Sequence, residues 1–163
     1  MKFVERIDRL SAGLAAASLW AMLGFTALMC GCLLLGVVFR YVLRSSLSWT
    51  GEVALFSFTW AVFLGASLGI RERFHVRITA LEDMLPPASR SIAGHLLTAL
   101  IGGFCVLVAV IGWQFAVFSA PLSSPALGYP VWIRNAAVPA MGILGAVHAS
   151  ANLLRGLAGP GRA

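Results

Sequence analysis

Few side chains in this sequence are equipped for chemistry, and their spacing limits what that chemistry is. Five of the six acids (Glu5, Asp8, Glu72, Glu82 and Asp83) lie in charge-rich segments, and Glu52 alone stands at the edge of an uncharged run. An ionisable residue there is a functional candidate, either as a proton or ion carrier or as the structural partner of Arg40 or Arg44 across a short hairpin. The structural role is the stronger, because an ion path needs polar groups near mid-membrane and none of the apolar runs has an ionised residue there. The histidines offer a rival chemistry. His95 opens one apolar run and His148 closes another, so in an up-and-down chain two imidazoles at similar depth are available as axial haem ligands. His75 has no such counterpart. Cys30 and Cys32 point about 200° apart around a helix, which is neither a redox nor a metal arrangement. The sequence shows no hydrolase triad, phosphate loop or metal cluster, so it implies no catalytic residues, no metal and no cofactor unless the haem reading holds.

The elements that must carry these residues are apolar. With 60% hydrophobic and 11% charged residues and a mean hydropathy of +0.90, a chain of 163 residues is too greasy to hide its surface inside one small soluble domain. Lipid must cover the rest. A net charge of +6 and a pI near 10.3 suggest nucleic acid in a soluble protein, but here the basic residues divide apolar runs, where membrane orientation accounts for them and no nucleic-acid partner is needed. The odd number of cysteines, all within apolar runs, makes a poor disulfide framework, and they are expected to pack as small apolar side chains.

Using the charges and prolines as dividers predicts a single all-α membrane domain with four spans, 12–39, 52–70, 91–119 and 134–154, a cytoplasmic loop 71–90 and periplasmic loops 40–51 and 120–133. The uncharged centre of the second span, Val53–Ile70, is about 27 Å of helix, close to a hydrocarbon core of about 30 Å. The first and third spans, near 28 residues or about 42 Å, exceed it and must tilt or extend into the headgroups. The uncharged run Ser11–Phe39 is too long for a signal-peptide core of roughly 7–15 residues and reads as a retained span. Placing both termini in the cytoplasm puts nine of the twelve Lys and Arg residues inside, and it gathers Tyr41, Trp49, Trp113, Tyr129 and Trp132 at the outer boundary. The inner loop, with Phe74, Ile78, Leu81 and Leu85 at helical spacing, reads equally as an amphipathic surface helix or a polar loop. The outer loop, SAPLSSPALGYPVWIRN, is apolar enough to fold back onto protein or headgroups.

In the second span Ser57, Ala61, Gly65 and Gly69 recur every four residues, a strip of small side chains that allows close backbone approach where no hydrophobic effect draws helices together. The fourth span has a similar set, Gly142, Gly145, Ala146 and Ala149. Two readings stay open. One is docking of another subunit, through Ser57, Ala61, Gly65, Gly69 and the neighbouring Trp60; the other is packing among the four helices of this chain.

The run FRYVLRSSLSWTGEVALFSFTWAVFLGASLGIRERFHVRI, together with LPP at Leu85–Pro87 and SPALGYPVW at Ser124–Trp132 followed by Pro139, resembles the small membrane subunit of tripartite ATP-independent periplasmic (TRAP) transporters. The likeness covers roughly residues 1 to 155. The chain departs from the family's pattern in having Gly51-Glu52 where two adjacent acids are common, no basic residue near Leu55, and Thr79 in place of an acid. The resemblance implies a non-catalytic four-helix subunit in a bacterial inner membrane, paired with a large multi-span permease. A soluble periplasmic substrate-binding protein would deliver an organic acid to the assembly, and a sodium gradient would drive uptake. A haem or quinone redox protein using His95 and His148, and an autonomous exporter using Glu52, are the other classes in view.

Overall fold

A backbone that cannot hydrogen-bond to lipid must satisfy itself, so uninterrupted apolar runs become helices. The computed structural model describes residues 2–72 and 87–157. In it α1 spans Lys2–Tyr41, α2 Ser48–Arg71, α3 Pro87–Phe118, α4 Trp132–Asn135 and α5 Ala137–Leu157. Four helical stretches are long and apolar enough to cross a membrane, Glu5–Tyr41, Ser48–Arg71, Ala93–Phe118 and Trp132–Gly156. The fold is therefore all-α with four spans, and no strand occurs among the described residues. The inner-loop pattern of Phe74, Ile78, Leu81 and Leu85 lies outside them.

Proline and glycine chemistry sets the ends. Pro87 heads α3, where its missing N–H costs nothing, and α3 stops before Pro121. Pro139 sits in the first turn of α5 for the same reason, and the bonds from Ala136 N to Trp132 O (2.8 Å) and Ala140 N to Ala136 O (3.1 Å) join α4 to α5 as one broken span. At the end of α1, Leu43 N reaches Val38 O and Ser45 N reaches Phe39 O, with Arg44 at φ 51 reversing the chain. Glycine is the usual residue at such a left-handed closure. Arg44, a boundary charge in the sequence, is thus also the residue on which the α1–α2 turn closes.

The helices overrun the uncharged runs. α1 has 40 residues, about 60 Å, and α3 has 32, about 48 Å, because both continue through charged or polar residues at the end where the chain begins. α1 packs along α2, α3 along α5, and α2 against α5, so α2 and α5 form the centre and α1 and α3 the flanks. The core is built on Cys105, Ile70 and Ala149, with Ile101, Met141 and Ala146 against them. It is tight: a Cβ at Gly142 would lie 2.5 Å from Ala109 N and 2.7 Å from Cys105 O. Half of the residues across the fourth span are buried, against almost none in α1, whose Trp20 and Leu34 face outward. Cys32 and Cys105 pack inside as expected of small apolar side chains, whereas Cys30, two residues from Cys32, faces outward.

Candidate functional site

At the end of the bundle carrying the 42–47 and 119–131 connections, the structure gives Glu52 partners that its sequence neighbours did not suggest. The carboxylate accepts the hydroxyl of Ser124 (2.7 Å) and the backbone N–H groups of Ala126 (2.7 Å) and Leu127 (3.0 Å). Arg40 and Arg44 are exposed and are not among these partners. The physical reason is local: a prolyl loop running through Pro121, Pro125 and Pro130 leaves N–H groups at 126 and 127 without a helix or sheet partner, and a carboxylate on the neighbouring helix end satisfies two at once. The loop is further closed by Ser124 N to Tyr129 O (2.9 Å), Gly128 N to Ser124 O (3.0 Å) and Val131 N to Leu122 O (2.9 Å), with Gly128 at φ +69. Tyr129 turns inward and meets Phe56 edge-on at 5.7 Å. Below the loop, Asn135 donates to Ser119 (2.9 Å), both buried. The 119–131 connection is thus a built turn folded onto α2.

The small strip of α2 is occupied within the chain. Ser57 is fully buried, and a Cβ at Gly65 would meet Met22 Sδ of α1 at 3.1 Å. Ala61 and Gly69 are half-buried. The corresponding set on α5 faces α3, with Gly142 against the α3 backbone and Gly145 against Cys105 and Ile70. Of the two readings open in the sequence, internal packing is therefore the use these contacts display. Trp60 stacks on Phe25 of α1 at 5.9 Å and borders a groove of about 360 Å³ with Ala17, Ala21 and Leu64. The small alanines of α1 facing the indole leave this groove open on one side.

The histidines do not form a pair. His148 Nδ1 is 2.8 Å from Ser11 Oγ of α1, while His95 lies against Gly156, eight residues further along α5 or about 12 Å of helix. Two axial haem ligands need to face each other across one iron, and this spacing places the two rings at different levels. Asn152, also on α5, donates to Ile70 O (2.8 Å) and Arg71 O (3.3 Å), carbonyls of the last turn of α2. An ion pair between Asp8 and Arg155 joins α1 to α5 nearby. Sequence reading missed Ser11, Ser124, Asn135 and Asn152. The two amides, alone in apolar runs, were the available signal; the serines are indistinguishable by sequence from those such as Ser67 and Ser150 that bond back to their own helix.

The family described as tripartite ATP-independent periplasmic transporters, DctQ component, matches residues 29–159. A TRAP transporter small permease protein of Haemophilus influenzae is 32% identical over 118 residues, 72% of this chain and 73% of that protein. The C4-dicarboxylate TRAP transporter small permease protein DctQ of Vibrio cholerae is 28% identical over 48% of this chain and 34% of its own length. The isethionate TRAP transporter permease protein DctMQ of Oleidesulfovibrio alaskensis is 31% identical over 68% of this chain, which corresponds to 17% of that protein. Matched by the family over residues 29–159 and folded as four membrane-spanning helices, the chain belongs to the DctQ family, the small permease component of TRAP transporters.

Proposed function

We propose that this chain is the non-catalytic small subunit of a sodium-driven, binding-protein-dependent uptake system for an organic acid, and that it docks to and supports the large permease subunit in the bacterial inner membrane with both termini cytoplasmic. The observation that carries this reading is how the polar groups are spent. Glu52 holds the chain's own loop, His148 bonds Ser11, Asn135 bonds Ser119 and Asn152 bonds the end of α2. Each ties helix to helix or loop to helix, and the surface left along α1 and α3 is apolar. A protein organised this way suits a fixed support better than an ion carrier, since substrate and sodium need polar sites that these residues do not offer. The Oleidesulfovibrio relative supports pairing with further permease sequence, because its similarity to this chain occupies only 17% of a much longer polypeptide. The solute class rests on family likeness, and relatives named for a solute differ in it, among them those for C4-dicarboxylate and isethionate.

Docking falls to the exposed flank of α1 and α2, where Trp60 borders the open groove, and not to the buried side of the Ser57–Gly69 strip. The test is co-purification and reconstitution. The tagged chain should retain the large subunit in detergent, and liposomes holding both should take up solute with the binding protein only under an inward sodium gradient. Uptake by the chain alone would overturn the supporting role, and a Soret band in the purified chain would revive the haem reading.

A further inference from the structure

The polar groups at the end of the bundle where the chain begins form an ordered set. Arg71, the last residue of α2, donates from Nη1 to Ser11 Oγ at 2.5 Å, and Ser11 Oγ lies 2.8 Å from His148 Nδ1. Ser11 and His148 are both fully buried. A serine hydroxyl has one proton to give. In Ser67, Ser119 and Ser150 it goes back to a carbonyl of the same helix, but the partners of Ser11 Oγ are Arg71 and His148. Arginine can only donate, so Ser11 Oγ accepts from Arg71; its own proton is then available to Nδ1, the arrangement in which His148 is protonated at Nε2. Direction runs from α2 through α1 to α5. The Nε2 atom is buried with no protein partner among the described residues, which leaves its N–H for a water.

We infer that Arg71, Ser11 and His148 are positioning residues of a three-helix latch that sets how the beginning of α1 lies on the bundle, and with it the surface α1 presents to the large permease subunit; this last clause rests on the function proposed above. The need for a latch follows from packing. The first half of α1 turns Leu10 and Trp20 outward, and among the described residues it buries only small ones, Ser11, Ala15 and Ser18. In lipid such a face gains nothing from hydrophobic burial, so polar bonds and close packing decide its placement. Asp8 with Arg155 adds a second tie in the same place, and Asn152 holds the end of α2 that carries Arg71.

The experiment uses the full chain with Cys30 replaced. Ring-nitrogen NMR of histidine-labelled protein should show His148 neutral and protonated at Nε2, with its Nδ1 signal moved by Ser11→Ala. Spin labels at the exposed positions 10 and 150 should give one narrow distance that broadens in Ser11→Ala and His148→Leu. His148→Asn, which keeps an acceptor near the Nδ1 position, should restore it. Inter-helix hydrogen bonds in membranes are modest, so recovery of the complex with the large subunit should fall about threefold in the two disrupted variants and return in His148→Asn. An Nδ1-protonated ring, or distances unchanged in Ser11→Ala, would overturn the latch. Broadened distances with full complex recovery would overturn its link to docking. Failure of the unaltered chain to bind the large subunit would refute the proposed function, while the spectra still decide the latch.

Discussion

Substituting Gly142 by alanine tests the packing on which the whole arrangement depends. The added Cβ would lie 2.5 Å from Ala109 N, 2.7 Å from Ala109 Cα and 2.7 Å from Cys105 O. Carbon atoms rest at about 3.5 Å or more, so the helices must part by about 1 Å. These obstacles are main-chain atoms of α3, which have no rotamer to change. The separation therefore propagates along the α3–α5 contact and loosens Cys105 and Ala149 in the core. Overpacking costs about 1–3 kcal/mol, offset by the roughly 0.5–1 kcal/mol that alanine gains over glycine in a helix. A net loss of about 1–2 kcal/mol lowers the Tm of a chain this size by about 2–8 °C. The measurement is thermal unfolding of the purified chain in detergent, followed by tryptophan fluorescence and helical circular dichroism. Two controls calibrate it. A methyl group at Gly24 would have nothing within 4 Å, so Gly24→Ala should be neutral or stabilising, and Gly65→Ala, which meets only the flexible thioether of Met22 at 3.1 Å, should lie between. A Gly142→Ala protein as stable as Gly24→Ala would refute the close helix contact, and with it the view that the small residues of α5 serve internal packing.

Further outcomes follow from the polar anchors. Asn152→Leu leaves Ile70 O without its donor and should cost about 1–3 kcal/mol in the same unfolding assay. Glu52→Ala and Ser124→Ala should each speed hydrogen exchange at the amides of Ala126 and Leu127, with Glu52→Gln intermediate, since one carboxyl oxygen remains to accept. In the assembled transporter Glu52→Gln should leave the sodium dependence of uptake unchanged in shape; an altered stoichiometry at equal complex abundance would place this residue in the ion path. Single cysteines at positions 46 and 123 should label from the periplasm and one at 159 only after permeabilisation, whereas a cysteine at 124 should label poorly because that side chain is buried against Glu52.

The site was less legible than the fold because its groups act at long sequence separation. Glu52 was recognisable as the odd acid out, but its natural partners by sequence distance were Arg40 and Arg44, and the carboxylate instead takes donors 72 to 75 residues away. His148 stood out as a titratable group in an apolar run, yet only the fold brings it to Ser11, 137 residues earlier, and sets it two helical turns from His95. The strip Ser57, Ala61, Gly65 and Gly69 declared that a helix comes close without saying which one; Met22 answers for Gly65.

What the sequence determined by itself is whatever depends on the bilayer acting as solvent. Runs of apolar residues must become helices, the prolines at 121, 125 and 130 must end the third of them, and the composition of the chain leaves its surface to be covered within the membrane. These are one-dimensional constraints, readable residue by residue. Which faces of the helices meet is a different kind of question, because in lipid all apolar faces are nearly equivalent and small differences in packing and a few hydrogen bonds choose among them. That choice put α2 and α5 in the centre, turned the small residues inward, folded the 119–131 connection onto Glu52 and left α1 and α3 as apolar flanks, and only the tertiary structure decided it.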